Sequence, residues 1–345
     1  MPSGSHLVTR RALIHRAAAA ALAGSAAGAT EAPSDPWPAW RGRFVSAEGA
    51  VVDHGMGDGR GGVSHSEAQG YGLLLAQATG DRDVFEGIER WLTARLAIRE
   101  DALMAWRPDG SAAHWHNATD GDLCRAWALL RAATRSGWSG HLETAERVAQ
   151  ALEALCLAVD PRTEDEPVLL PGAEFGGARD LVPFNPSYVI PRALRELGLA
   201  FDLPRLTRAA DHGETLLAEL AARGPLPDWI GLGRTGYAPL PDRPATSGYD
   251  ALRVPLYLCW SGRADHPAVA RVAADLRGAT LPGHLAVQRA PDGAVLAESD
   301  LPGYRALLDL AEGGAVGATG PAIAAQPYYP ATLHMLAIVA ATEGR

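Results

Sequence analysis

Helical segments of two kinds alternate along this chain, and few folds accept that alternation. One kind is amphipathic and charged, as at 83–98, with Asp83, Glu86, Glu89, Arg90 and Arg95, and at 141–158. The other is apolar nearly all round, the mark of a helix buried on every side. Each segment of the second kind opens on a polar or aromatic motif. These starts are Ser66-Glu67, Thr119-Asp120, Pro186-Ser187-Tyr188, Ser247-Gly248-Tyr249-Asp250 and Tyr328-Tyr329-Pro330. Through residue 261 the two kinds alternate; beyond it the pattern blurs. Two concentric rings satisfy the pattern, with parallel inner helices and outer helices running back. The inner starts then gather at one end, and positions 67, 120, 188 and 250 become neighbours. An open solenoid is the alternative, but solenoids carry an internal repeat, and none is present here.

Helices are expected near 66–79, 83–98, 119–135, 141–158, 187–199, 204–223, 247–261, 266–277, 303–312 and 328–342, with a short one near 39–46. Residues 47–63 are Gly-rich and read as a long loop; such loops in compact domains are usually functional. Strand signals are few. Residues 284–297 read as a hairpin turning at Pro291-Asp292-Gly293. The expectation is an all-α domain over 33–345 with small β decorations.

Residues 1–32 read as an export leader: Thr9-Arg10-Arg11, an Ala-rich run over 17–29, then small residues near Ala27, Ala29 or Ala32. The Arg pair and mild hydrophobicity point to the twin-arginine route, and either export route leads to the periplasm or outside. No apolar run long enough to span a membrane follows. The net charge of −9 argues against nucleic acid and suits a neutral substrate. All basic residues are Arg, a coding bias of a GC-rich genome. Cys124, Cys156 and Cys259 fall in apolar helical patterns, without the spacing of a disulfide framework or metal site, and read as buried thiols. His54, His65, His114 and His116 follow no metal-ligand spacing, so neither metal nor cofactor is expected.

The helix starts have an ordinary reading. Ser66 with Gln69, and Thr119 with Asp122, match capping boxes, and Asp250 with Arg253 matches a local ion pair. Gly70 and Gly72 weaken a helix start, which suggests that something passes close to the backbone there, with Tyr71 between them. A carboxylate beside small residues and an aromatic suits a sugar-binding cleft. Three acid-bearing starts flanked by Gly and converging at one barrel end also suit glycoside hydrolysis. That reaction takes two carboxyl groups, one protonated and one ionised.

Together the motifs resemble glycoside hydrolase family 8. Those that carry the resemblance are Ser66-Glu67-Ala68-Gln69-Gly70-Tyr71-Gly72, Ala118-Thr119-Asp120-Gly121-Asp122, Asn185-Pro186-Ser187-Tyr188 and Tyr249-Asp250-Ala251-Leu252-Arg253, in the family's order. Tyr328-Tyr329-Pro330-Ala331-Thr332-Leu333-His334 resembles its C-terminal helix start. The resemblance spans roughly residues 40–342. It implies an (α/α)6 barrel and an inverting, endo-acting enzyme on β-1,4-glucan, most like the periplasmic endoglucanases associated with bacterial cellulose synthesis. A β-1,4-linked polysaccharide is then the partner, with the cellulose synthase complex a further one, and a monomer is expected. The resemblance implies Glu67 as general acid, Asp250 as general base, and Asp120 as the acid that holds the reacting sugar distorted. It makes Tyr188 and Arg253 supports of the site, and Trp106 a sugar-stacking platform. Trp115, Trp229 and Tyr249 are further stacking candidates, and Asn185 and Tyr71 complete the expected substrate-binding set. Ala68 and Leu73 depart from the family's usual Gly and Met. Ala113-His114-Trp115-His116 departs where relatives carry an Asp and an Asn, which bears on subsite preference. Xylan or mixed-linkage glucan as substrate, or a non-catalytic glucan-binding assembly role, are the rival readings. Both acids the chemistry needs are present, which weighs against the last.

Overall fold

The computed structural model describes residues 35–55, 62–108, 115–176, 181–243 and 245–344. The expected leader over 1–32 and His114 lie outside them. In chain order the helices are α1 (Trp37–Phe44), α2 (Ser66–Thr79), α3 (Arg82–Arg95), α4 (Thr119–Thr134), α5 (Leu142–Leu155) and α6 (Pro191–Ala200). There follow α7 (Pro204–Ala221), α8 (Val254–Trp260), α9 (Pro267–Arg277), α10 (Pro302–Ala311), α11 (Gly320–Ala324) and α12 (Tyr328–Glu343). The even-numbered helices α2, α4, α6, α8, α10 and α12 pack each against the next, and α12 returns to α2, closing an inner ring. Outside it, α3 lies on α2, α5 on α4, α7 on α6 and α9 on α8 and α10, while α1 and α11 cover α12. This is the expected double ring, with one difference after residue 261. Short α11 occupies an outer position where no helix was legible.

Burial follows the helix types. Helices α2, α4 and α8 bury nearly every side chain along their length, and α12 does so through Ala337 except at Tyr329. Helix α6 departs from expectation: it is amphipathic, with Leu199 79% exposed. Its start also differs. The segment begins as a 3-10 turn, Pro186–Tyr188, breaks at Val189 and Ile190, and resumes as α6 at Pro191. Pro191 drives Ile190 out of the helical region, to φ −111° and ψ 85°. The 247–261 segment likewise enters through a 3-10 turn, Ala251–Arg253, before α8.

The glycines of α2 and α4 are explained by packing. A Cβ on Gly121 would lie 2.6 Å from Ser66 Oγ, and one on Gly70 would lie 2.7 Å from Cys124 Cβ. What approaches Gly70 is therefore α4. On Gly72 a Cβ would meet Val51 Cγ2 at 2.5 Å.

The expected hairpin is present as β6 (Leu285–Arg289) and β7 (Val295–Ser299), antiparallel, with Leu285 opposite Ser299. Asp292 Oδ1 accepts from Ala294 N, and Gly293 takes φ +89° at the tip. Two further sets of strands were not expected. Strand β1 (Leu157–Val159) takes the end of the 141–158 helical pattern and pairs with β2 (Pro167–Leu169). Strands β3 (Val182–Phe184), β4 (Ile230–Gly233) and β5 (Gly236–Ala238) form an antiparallel sheet with Phe184 opposite Ile230. All are short, and their apolar runs carry no alternation to separate strand from helix. The three cysteines are free and buried.

The C-terminal ends of the inner helices meet at Arg131, which is 2% exposed. Its Nε donates to Gln77 Oε1 (2.7 Å) and its Nη1 to Glu343 Oε2 (2.8 Å), while Nη2 bonds Glu343 Oε1. The guanidinium lies near the rings of Trp127 (4.9 Å) and Trp260 (5.8 Å). Trp260 Nε1 donates to the same carboxylate at 2.9 Å, and Arg192 bonds the Glu343 carbonyl at 3.0 Å. Burial opposes the Glu343 charge, but these hydrogen bonds outweigh it and hold its carboxyl below the usual range. One arginine thus ties α2, α4, α8 and α12. Arg131→Met removes the two-pronged partner of that carboxylate but leaves it Trp260 Nε1 and, at 3.6 Å, Arg192 Nη1, so we expect a loss of about 1.5–3 kcal/mol in denaturant unfolding. Adding Glu343→Gln should restore part of it. A loss under about 1 kcal/mol would mean the pair acts like a surface one.

Candidate active site

At the opposite end, the helix starts converge on a second buried arginine. Arg253 is 1% exposed. Its Nη1 bonds Glu67 Oε2 and donates to Tyr71 Oη (3.0 Å) and Asp120 Oδ2 (3.2 Å). Its Nη2 donates to Asp250 Oδ1 (2.7 Å) and Ser187 Oγ (2.8 Å). Residues from α2, α4, the Pro186–Tyr188 turn and the entry to α8 are thus gathered on one guanidinium. Glu67 and Asp250 sit on its two different nitrogens, a guanidinium's width apart.

The rest of each acid's surroundings fixes its orientation. Asn185 Nδ2 donates to Asp250 Oδ2 at 2.9 Å, while Asn185 Oδ1 accepts from the N–H and hydroxyl of Ser187. Asp120 Oδ1 accepts from Gly121 N at 2.8 Å. The Asp120 side chain is almost wholly buried, whereas Glu67 and Asp250 are 17% and 31% exposed. Both of the latter line a cleft of about 400 Å³, with Asp53, Tyr249, Tyr304 and Tyr329. Burial, and next the negative charge of Glu67, push the Asp120 carboxyl well above its ordinary value, against the pull of Arg253.

Neither capping box forms. The N-cap of α2 is His65, in extended backbone, whose Nδ1 accepts from Ala68 N at 3.2 Å. Ser66 is already helical, and Gln69 turns away to Ser64 Oγ (2.6 Å) and Val51 O (3.0 Å). For α4 the cap position is Ala118. Asp122 accepts from Met104 N (2.8 Å) and Asn117 Nδ2 (2.9 Å). That brace joins the segment before Trp106 to the start of α4, and burial pushes the Asp122 carboxyl up to about 7.

The aromatic candidates divide. Tyr71 is fully buried, its hydroxyl 2.6 Å from that of Tyr257, so it supports Arg253 from behind and does not face the cleft. Asn185 is also buried and acts on Asp250. Tyr249 is 47% exposed at the cleft, edge-on to Tyr329, whose hydroxyl donates to Tyr249 O at 2.5 Å. Trp106 stacks on His116 at 5.6 Å, with Arg107 4.3 Å from its ring, and its carbonyl accepts from Ser66 N beside Glu67. Trp115 is 45% exposed. Tyr188 and Trp229 meet edge to face at 6.1 Å, with the Arg253 guanidinium 5.9 Å from Tyr188. Ser187, Tyr257, Asp53 and Asp228 were not singled out from sequence. Ser187 stood inside a quoted motif, while the others carry no local signal. Among the described residues no group of His, Cys, Asp and Glu is arranged to hold a metal ion.

Comparison with known proteins agrees with this geometry. The "Probable endoglucanase" of Novacetimonas hansenii is 32% identical over 91% of this chain and 92% of its own length. The "Endoglucanase" of Cellulomonas uda is 32% identical, but the match spans 62% of that protein. Among solved structures, a family 8 glycosyl hydrolase endoglucanase from Klebsiella pneumoniae superposes with a TM-score of 0.76 at 26% identity, over 90% of this chain and 99% of that one. The endo-beta-1,4-glucanase CMCax from Acetobacter xylinum gives 0.76 at 28% identity, over 90% and 97%. The closed double ring is the fold these structures share, and the model of "Glycosyl hydrolases family 8" matches residues 8–341. With its acids gathered on Arg253 inside that ring, the chain belongs to glycosyl hydrolase family 8.

Proposed function

We propose that this protein hydrolyses β-1,4-glucan chains at internal linkages with inversion of configuration. The observation that carries the reading is the placement of Glu67 and Asp250. Both line one cleft, and a single guanidinium holds them apart. Inversion takes two carboxyls on one cleft with a water between them, and Glu67 and Asp250 bond different nitrogens of Arg253 rather than each other. Glu67 protonates the glycosidic oxygen as the leaving group departs. Asp250 takes a proton from the water that attacks the anomeric carbon from the opposite face. Two donors, Arg253 and Asn185, fix the Asp250 carboxylate, so its remaining lone pairs point in a set direction. Asp120 shares the Arg253 nitrogen with Glu67 and retains its proton at pH values where an ordinary carboxylate has lost its own. We assign Asp120 to holding the reacting sugar, and Tyr249, Trp106 and Trp115 to stacking on the chain. The leader over 1–32 would carry the enzyme to the periplasm or outside, where the cellulose synthase complex is the partner we propose.

Reducing-sugar release from carboxymethylcellulose, xylan and chitosan tests the reading. Activity is expected on the cellulose derivative, and Glu67→Gln and Asp250→Asn should each lower kcat by about 10²–10⁴-fold. Proton NMR of the first product should show the α-anomer. A β-anomer would exclude inversion, and activity on xylan alone would move the substrate.

The Asp120 carboxyl yields a separate expectation. Its raised affinity keeps it protonated where an ordinary carboxyl has ionised, so the unaltered enzyme loses stability as pH rises through that range, and the neutral Asp120→Asn should show a flatter fall of melting temperature with pH. Parallel melting curves would show that Asp120 does not keep its proton in the folded enzyme.

A further inference from the structure

Asp250 stands on a weak element. It precedes a single 3-10 turn, it has no side-chain cap, and the segment from residue 245 to 250 has no regular structure. Asp228, just before β4, supplies what that turn lacks. Its Oδ1 accepts from Gly248 N and from Ala251 N, both at 2.9 Å, so one oxygen straddles Asp250. Its own N–H donates to Thr246 O at 2.7 Å. The other carboxylate oxygen fills the space above Gly248, where a Cβ would lie 2.9 Å from Oδ2. From the far side, Ser247 and Arg289 exchange backbone hydrogen bonds of 3.0 and 2.7 Å with the β6 edge.

We propose that Asp228 is the positioning residue of the general base: it clamps both peptide flanks of Asp250 and sets a negative charge beside it. The inference rests on Asp250 being that base. Asp228 acts as an N-cap contributed from another segment. A carboxylate at this end of a helix satisfies free N–H groups and complements the dipole. The charged groups that act on it are Asp250 and Arg253. Gln288, on the hairpin side, is uncharged, and Arg243 lies over the neighbouring Trp229 ring at 3.7 Å. Burial, and then the charge of Asp250, raise the Asp228 carboxyl to about 6, against its two backbone hydrogen bonds and Arg253. Protonation of Asp228 at about pH 6 therefore weakens the clamp on the turn that carries Asp250.

The test compares Asp228→Asn and Asp228→Ala with the unaltered enzyme on a neutral soluble glucan, hydroxyethylcellulose, across pH. Asparagine keeps the acceptor oxygen but removes the charge. Its acidic limb of kcat/KM should move to lower pH by about one unit, the scale of environmental shifts in proteins. Alanine removes the clamp, and kcat should fall about 10²-fold, the scale of a small misplacement of a reacting group, with KM nearly unchanged. An Asp228→Asn limb that coincides with that of the unaltered enzyme overturns the proposal, even if Asp228→Ala fails to fold. So does a folded alanine variant with full kcat and only a lowered melting temperature. Asp250→Asn is measured alongside. If it retains activity, the assignment of the base has failed, and that is distinguishable from an unmoved Asp228→Asn limb.

Discussion

Three carboxylates around one buried guanidinium set the terms for the whole upper end of the barrel. Glu67, Asp120 and Asp250 all bond Arg253. Fully ionised, they would leave an excess negative charge in a region where Asp120 and Arg253 are almost wholly dry. Uncompensated buried charge is strongly unfavourable. The cluster relieves it by keeping a proton, and the raised affinity of Asp120 shows where the relief falls. The same imbalance therefore stabilises a proton beside Glu67 and leaves Arg253 available to Asp250. Tyr71, Ser187 and Asn185 complete the arrangement as neutral groups that orient charge without adding any.

The barrel is stitched at its two ends by the same chemistry. Arg253 joins the N-terminal ends of the inner helices, and Arg131 joins their C-terminal ends with the carboxylate of Glu343. A planar fork of donors suits both sites, because each must bond partners on several helices at once. The absence of lysine from the sequence reflects coding bias, yet neither hub could be built with a single ammonium point. Between the hubs the inner helices approach closely where side chains vanish. Gly121 lies against Ser66, and Gly70 against Cys124. The first of these contacts fixes the relative height of Glu67 and Asp120, each one residue from it.

Much of this was legible in the residues, and the failures have physical causes. All-round apolarity marked α2, α4, α8 and α12, and the convergence of their starts followed from topology. The motifs around Glu67, Asp120 and Asp250 led to one centre because each lies at such a start. Helix α6 was misread because Pro191 breaks its entry and leaves an amphipathic remainder. The capping boxes were misread because tertiary partners outbid local ones. Gln69 reaches the strand-like residue Val51, and Asp122 reaches Met104 and Asn117. Gly70 signalled a close approach, but the sequence does not say whether a ligand or a helix approaches. Tyr71 lies one helical turn after Glu67 on the same face and meets the same Arg253 nitrogen, yet it is one turn deeper, where the core covers it completely. Asp228 and Asp53 carry no local signal at all, for their roles arise from segments folded against them.

The two acids we propose to react, Glu67 and Asp250, are held by different kinds of structure. Glu67 lies in the first turn of α2, a continuous buried helix gripped by α4 and α12. Asp250 lies ahead of a short turn, held by side chains and strand edges contributed from elsewhere: Asn185 after β3, Asp228 before β4, and Arg289 at the end of β6. Segments beside the β decorations, unneeded by an (α/α)6 barrel as such, therefore join Arg253 in holding Asp250. A barrel alone supplies converging helix starts, and so an acid on a rigid mount. A second carboxylate that is not mounted on a long inner helix has to be positioned by contacts from other segments. The short strands answer that requirement, which is why they cluster around Asn185, Asp228 and Ser247.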